Sequence, residues 1–167
     1  MSVVARLIAA RQFLGMKRQV FFVSMGGFDL HDSLVSRQPG LRSQLDFAMD
    51  AFHQASVELG VADKATTFTT SDFGRTLAFN GDGSDHGWGA HRLILGGAVN
   101  GGRYYGSAPE ISLRSTDQVG QGRLIPTTSV DQYSAAMAKW FGVSASEMPS
   151  VVPGIGRFAN SGLSLML

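Results

Sequence analysis

The spacing of apolar positions changes several times along this chain, and each change predicts an element. Val4, Leu7, Ile8 and Leu14 share one stripe of an N-terminal amphipathic helix that Gly15 is placed to close. Val20 to Ser24 (VFFVS) is apolar without alternation, the pattern of a strand covered on both faces. Leu41, Leu45, Met49, Phe52 and Leu59 recur at three, four or seven residues and predict a helix, entered at Pro39-Gly40 and stopped by Gly60. Thr66 to Thr70 (TTFTT) is β-branched and aromatic, and Arg92 to Leu95 is apolar before Gly96-Gly97, so both predict strands. Ser129 and Gln132 form a capping box for a last helix with Tyr133, Met137, Trp140 and Phe141 on its apolar side and Gly142 at its end. A second box, Ser144 to Glu147, follows. Residues 101–125 read as turns and short strands, and the tail from Val151 carries no readable role.

Strand, helix and strand between Val20 and Thr70 form a βαβ unit, whose two strands run parallel with a right-handed crossover. The expected fold is therefore α/β, a mostly parallel sheet with flanking helices in one domain over residues 1–167. Parallel strands end on the same sheet edge, which would bring the segments after them, GGFDLHD and SDFGRT, face to face.

Composition narrows the function classes. A net charge of +1 and the lack of a Lys/Arg run give no basis for binding nucleic acid or an anionic membrane. No apolar run approaches the ~20 residues of a membrane span. Cysteine is absent, which excludes disulfides, thiolate metal sites and a cysteine nucleophile. The N-terminus lacks a signal peptide's uninterrupted apolar run and cleavage site, since Arg6 and Arg11 break it.

The chemistry-bearing residues gather after the predicted strands. Asp29, His31, Asp72 and His86 are candidate ligands, and mixed carboxylate and imidazole donors suit zinc, manganese or iron better than calcium or magnesium. Asp85, beside His86, is placed to ligate or orient. Arg75 is a natural partner for an anionic oxygen near the metal. Against this stands the ordinary use of Asp and Ser after strands to cap helices and bind turn amides. Trp88, Tyr104 and Tyr105 would serve a carbohydrate- or polyanion-binding module.

GGFDLH, TTSDFGRT, SDHGWG, LILGGAVNGG and GRLIPTTSVDQYSAAMAKWFGV, in this order, resemble the C-terminal part of the domain of unknown function 1501 family. That family is similar to the alkaline phosphatase and sulfatase superfamily, and the match runs from about Val4 to Phe158. The resemblance implies a metal-dependent hydrolase of phosphate or sulfate esters, an anionic substrate and an alkaline-phosphatase-like core. Asp29 and His31 would be the first ligand pair, Asp72 the ligand after the next strand and His86 the late histidine. Arg75 would stabilise charge on the transferring group, and zinc leads manganese, iron and calcium as the ion.

This sequence departs from that pattern in four ways. His31 follows Asp29 by two residues instead of four. Phe73 stands where the enzymes carry a histidine, and Asp72 where family relatives tend to carry Glu. The superfamily nucleophile belongs to an N-terminal segment that this chain does not include. The chain is thus expected to be the C-terminal portion of such a domain, with little or no turnover and an incomplete sheet prone to self-association. The alternative is a non-catalytic binding or assembly protein that retains the fold. Export of a longer parent to the periplasm fits the resemblance, although no signal lies in these residues.

Overall fold

The structure is a computed structural model in which residues 1–112, 114–158 and 163–167 are described. In chain order it forms α1 (Ser2–Ala9), α2 (Leu34–Glu58), β1 (Thr66–Phe68), β2 (Gly74–Phe79), β3 (Ser84–Gly87) and β4 (Ile94–Gly96). Two short strands follow, β5 (Gln118–Val119) and β6 (Arg123–Leu124), then α3 (Val130–Phe141) and α4 (Met148–Val151). No helix among the described residues is long and apolar enough to cross a membrane.

The mostly parallel α/β sheet with an alkaline-phosphatase-like core, expected from the sequence, is not what forms. The described strands make three two-stranded sheets, β1–β4, β2–β3 and β5–β6, and every pairing is antiparallel. Val20 to Ser24 joins none of them. Residues 17–27 make no backbone hydrogen bond to any described residue, and Val20 and Phe22 are 79% and 86% exposed. The physical reason is that an apolar run records a preference for burial but not the partner that would supply it. Without a neighbouring strand the run has no ladder. β1 instead takes β4, with Thr66 opposite Gly96 and Phe68 opposite Ile94. Glycine at 96 permits that approach, since a Cβ there would lie 2.6 Å from the Ala65 carbonyl oxygen.

The two expected strands at Thr66–Thr70 and Arg92–Leu95 therefore exist in shortened form as β1 and β4. The central helix starts earlier than Pro39-Gly40 suggested, at Leu34. Pro39 is tolerated near that end because its missing N–H deprives only one carbonyl, that of Val35, of its helical partner. The N-terminal helix stops at Ala9, and the chain continues in turns to Gly15, which has the positive φ of +64° expected of a closing glycine.

α3 has the cap and the stop that its sequence predicts, but of the expected apolar side, Tyr133, Met137, Trp140 and Phe141, only Met137 is buried. Ser129 Oγ accepts from the Gln132 N–H, the Gln132 side chain accepts from the Ser129 N–H, and Gly142 ends the helix with φ +101°. Its small face carries the core. Ala135 packs with Val152 and Ile155, while Ala136 and Met137 pack with Leu165. The tail, unreadable in sequence, thus closes the core. Leu165 and Met166 lie along residues 98–100, with Asn100 N–H donating to the Leu165 carbonyl and Leu167 N–H to that of Ala98.

Candidate metal centre

The site is assembled by one hairpin and one loop. β2 and β3 pair with Arg75 directly opposite His86, so both side chains stand on the same face. The turn joining them grips the loop that precedes α2. Leu34, the first residue of α2, donates its N–H to the Asp82 carbonyl at 2.9 Å, and Ser84 N–H donates to the Leu30 carbonyl at 3.3 Å. Ser33 offers no side-chain cap, so the hairpin turn does the capping. Between these bonds Gly83 lies flat against the backbone of His31 and Asp32, where a Cβ would collide with backbone atoms. Gly83→Ala is expected to destabilise the fold by about 2 kcal/mol through this clash and to loosen the Asp29–His31 loop. Chemical denaturation of the variant beside the parent chain measures the first effect.

Three donor atoms converge on that face. Asp29 Oδ1 lies 3.0 Å from His31 Nε2 and 2.9 Å from His86 Nε2, and the two imidazole nitrogens are 3.2 Å apart. An ion with bonds of ~2.0–2.1 Å needs donor separations of about 2.9 Å for right-angled ligands and about 3.4 Å for tetrahedral ones. The triangle falls within that range. Two imidazoles and one carboxylate on one side of an ion are a donor set that suits zinc or a first-row transition metal and leaves positions open. All three residues are exposed, and they are the one group of at least three potential ligands found among the described residues. Protons can serve the same triangle, because each Nε2–H is able to donate to Asp29 Oδ1.

Arg75 supports the carboxylate from beneath. Its NH1 donates to Asp29 Oδ1 at 2.5 Å, Nε to Ser84 Oγ at 3.1 Å, and NH2 to the carbonyls of Leu30 and Ser84. Four of its five N–H groups therefore point into the protein, and its side chain is 17% exposed. Hydrogen bonds from His86 first, and then from Arg75, hold the Asp29 carboxyl below its ordinary value of 3.8. On the far side of His31, Asp85 Oδ1 stands 3.6 Å from Nδ1 and is itself held by the Asn80 amide at 2.7 Å.

Of the residues expected from sequence, Asp29, His31 and His86 come together with Arg75 and Asp85 around them. Asp72 does not join them. It is exposed and outside the cluster, on a segment held by the Ser71 hydroxyl donating to the Phe73 carbonyl and by Arg92 donating to the Ser71 carbonyl. The aromatic candidates separate: Trp88 and Tyr104 are exposed, whereas Tyr105 packs against the α3 core. Sequence reasoning missed Gly83 and Ser84. The signal available was GDGS, whose glycines allow the close approach that the turn makes to the ligand loop.

Residues 1–146 match the family described as "protein of unknown function (DUF1501)". No curated protein and no solved structure matches the chain.

Proposed function

The chain belongs to the DUF1501 family, and from that premise we propose that it is a metal-binding protein holding one divalent transition ion between Asp29, His31 and His86. The observation that carries this reading is the triangle of donor atoms at 2.9–3.2 Å, set at the junction of a hairpin and a loop. Zinc is the leading ion, with manganese and iron next, because imidazole favours them over calcium. When bound, the ion supplies a Lewis acid for an ester oxygen. The chain's own residues orient it: Arg75 fixes the carboxylate, and Asp85 lies behind His31. Metal content by mass spectrometry, after loading and dialysis, tests the reading. Close to one ion per chain is expected, and no retained ion among zinc, manganese and iron would overturn it.

Hydrolysis of a phosphate or sulfate monoester is the catalytic form of this proposal. It is supported by the open coordination side, which faces solvent, and by the ordered motifs. The non-catalytic form is supported by two observations. Among the described residues no serine or threonine hydroxyl is bonded to the three donors, and Ser84 Oγ is turned to Arg75. Arg75 also has only one of its five N–H groups left for an anionic substrate. Aryl phosphate and aryl sulfate assays of the metal-loaded chain separate the two forms, and little or no turnover is the expected result.

Self-association is part of the same proposal. An exposed apolar run whose backbone is unpaired among the described residues, Val20 to Ser24, is a template for pairing with another strand. Val23→Lys is expected to shift the chain toward smaller species in sedimentation velocity while leaving metal content unchanged. An unchanged size distribution would remove this part.

A further inference from the structure

In the sequence, Phe73 stands where a histidine ligand is expected. In the structure its ring lies flat on the imidazole of His86, with centroids 3.8 Å apart and planes 11° from parallel. The Arg75 guanidinium carbon is 5.8 Å from the centroid of the same ring, within the range where a cation is attracted to an aromatic face. Arg75 is fixed by its bonds to Leu30, Ser84 and Asp29. The ring thus contacts both the imidazole face and an anchored cation.

We propose that Phe73 is a positioning residue for the metal centre, holding the His86 imidazole in the plane that directs Nε2 at Asp29 and His31. The inference rests on the metal-binding reading above. His86 is exposed on β3, and an exposed imidazole rotates freely about both side-chain torsions. Fixing it at the moment of metal binding would weaken affinity, whereas a ring already fixed by stacking incurs little of that loss. His31 has Asp85 on its Nδ1 side. For His86 the described residues provide the Phe73 face instead. Flatness is the property required, since an aliphatic group of similar bulk fills the space without defining a plane.

Titration with Co2+, followed by its visible absorption, tests this in the full chain, Phe73→Tyr, Phe73→Leu and Asp29→Ala. Phe73→Tyr keeps the flat face and is expected to bind within about twofold of the parent. Phe73→Leu is expected to bind about tenfold more weakly, at the lower end of what losing a supporting group around a metal removes, and with altered band intensities that report a changed ligand geometry. Thermal unfolding of each metal-free protein shows whether the fold is intact. Should Phe73→Leu be unfolded, Phe73→Met is titrated in its place. Equal affinity and an identical spectrum in the folded aliphatic variant, with Asp29→Ala still losing Co2+, would overturn the role of Phe73 and leave the metal site standing. Failure of the parent chain to bind Co2+ would overturn both.

Discussion

The Asp29→Ala, His86→Ala double variant is expected to retain no divalent ion under conditions where the parent chain holds close to one. Both side chains are exposed and supply two of the three donors, so their removal leaves His31 as a single imidazole. A lone exposed imidazole binds weakly and without selectivity. Removing even an outer supporting group from a metal site lowers affinity 10- to 100-fold, so loss of two direct donors is expected to exceed about 100-fold. The control is the fold. His86 contributes a stacked face to Phe73, and Asp29 accepts from Arg75, but neither belongs to the clusters around α3. Far-UV circular dichroism of the variant should therefore match the parent. Retention of a full equivalent of ion in the double variant would place the metal elsewhere and remove the triangle as its site.

How far such a site is legible in sequence depends on which signals are local. The cap and stop of α3 are legible because they are set locally, by Ser129, Gln132 and Gly142, whereas its buried residues, Ala135, Ala136 and Met137, share only Met137 with the apolar side that the sequence predicts. β1 and β4 were readable as strands for the same reason, but their pairing was not. Antiparallel and parallel pairings use the same β-branched residues. Val20 to Ser24 carries a strand pattern and forms no strand, because a ladder requires a second chain segment that no local pattern specifies. The hairpin of β2 and β3 went unseen since its glycines, Gly74, Gly81, Gly83, Gly87 and Gly89, read as loop. That hairpin is nevertheless what brings His86 to the Asp29–His31 loop. The donor types were legible, and their meeting was expected from parallel strand ends. It happens instead through an antiparallel turn capping α2, and Asp72, with the same type and a similar sequence position, is left outside.

Arg75→Ala should have the largest effect on stability of any single side-chain truncation near the site, lowering it by about 2 to 4 kcal/mol. For a chain of 167 residues that corresponds to roughly 5–15 °C in melting temperature. The reason is where the guanidinium bonds end. The carbonyl it meets on Leu30 belongs to a residue only 1% exposed, and Ser84, which offers both Oγ and its carbonyl, is also buried. Removing the donor takes the guanidinium from Ser84 Oγ and the Ser84 carbonyl and leaves the Leu30 carbonyl only the Ser84 N–H, in a place water reaches poorly, and buried polar atoms that lose a partner are costly. The contact to Asp29 adds little by comparison, because that carboxylate is exposed and its attraction is screened. The pH dependence separates the two shares. The Asp29 pKa is lowered in the folded chain, so its contribution is present above the unfolded carboxylate range and is lost only as pH falls through the lowered folded value. Between neutral pH and about pH 5 the stability gap between parent and Arg75→Ala is therefore expected to stay constant. Arg75→Lys is expected to recover only a minor part of it, since one ammonium cannot reach Ser84 Oγ, two carbonyls and Asp29 from a single fixed plane. Urea unfolding of the three proteins at pH 5 and 7 measures both outcomes. A gap below about 0.5 kcal/mol, or full rescue by lysine, would show that Arg75 acts as a surface charge and not as the bracket joining the hairpin to the ligand loop.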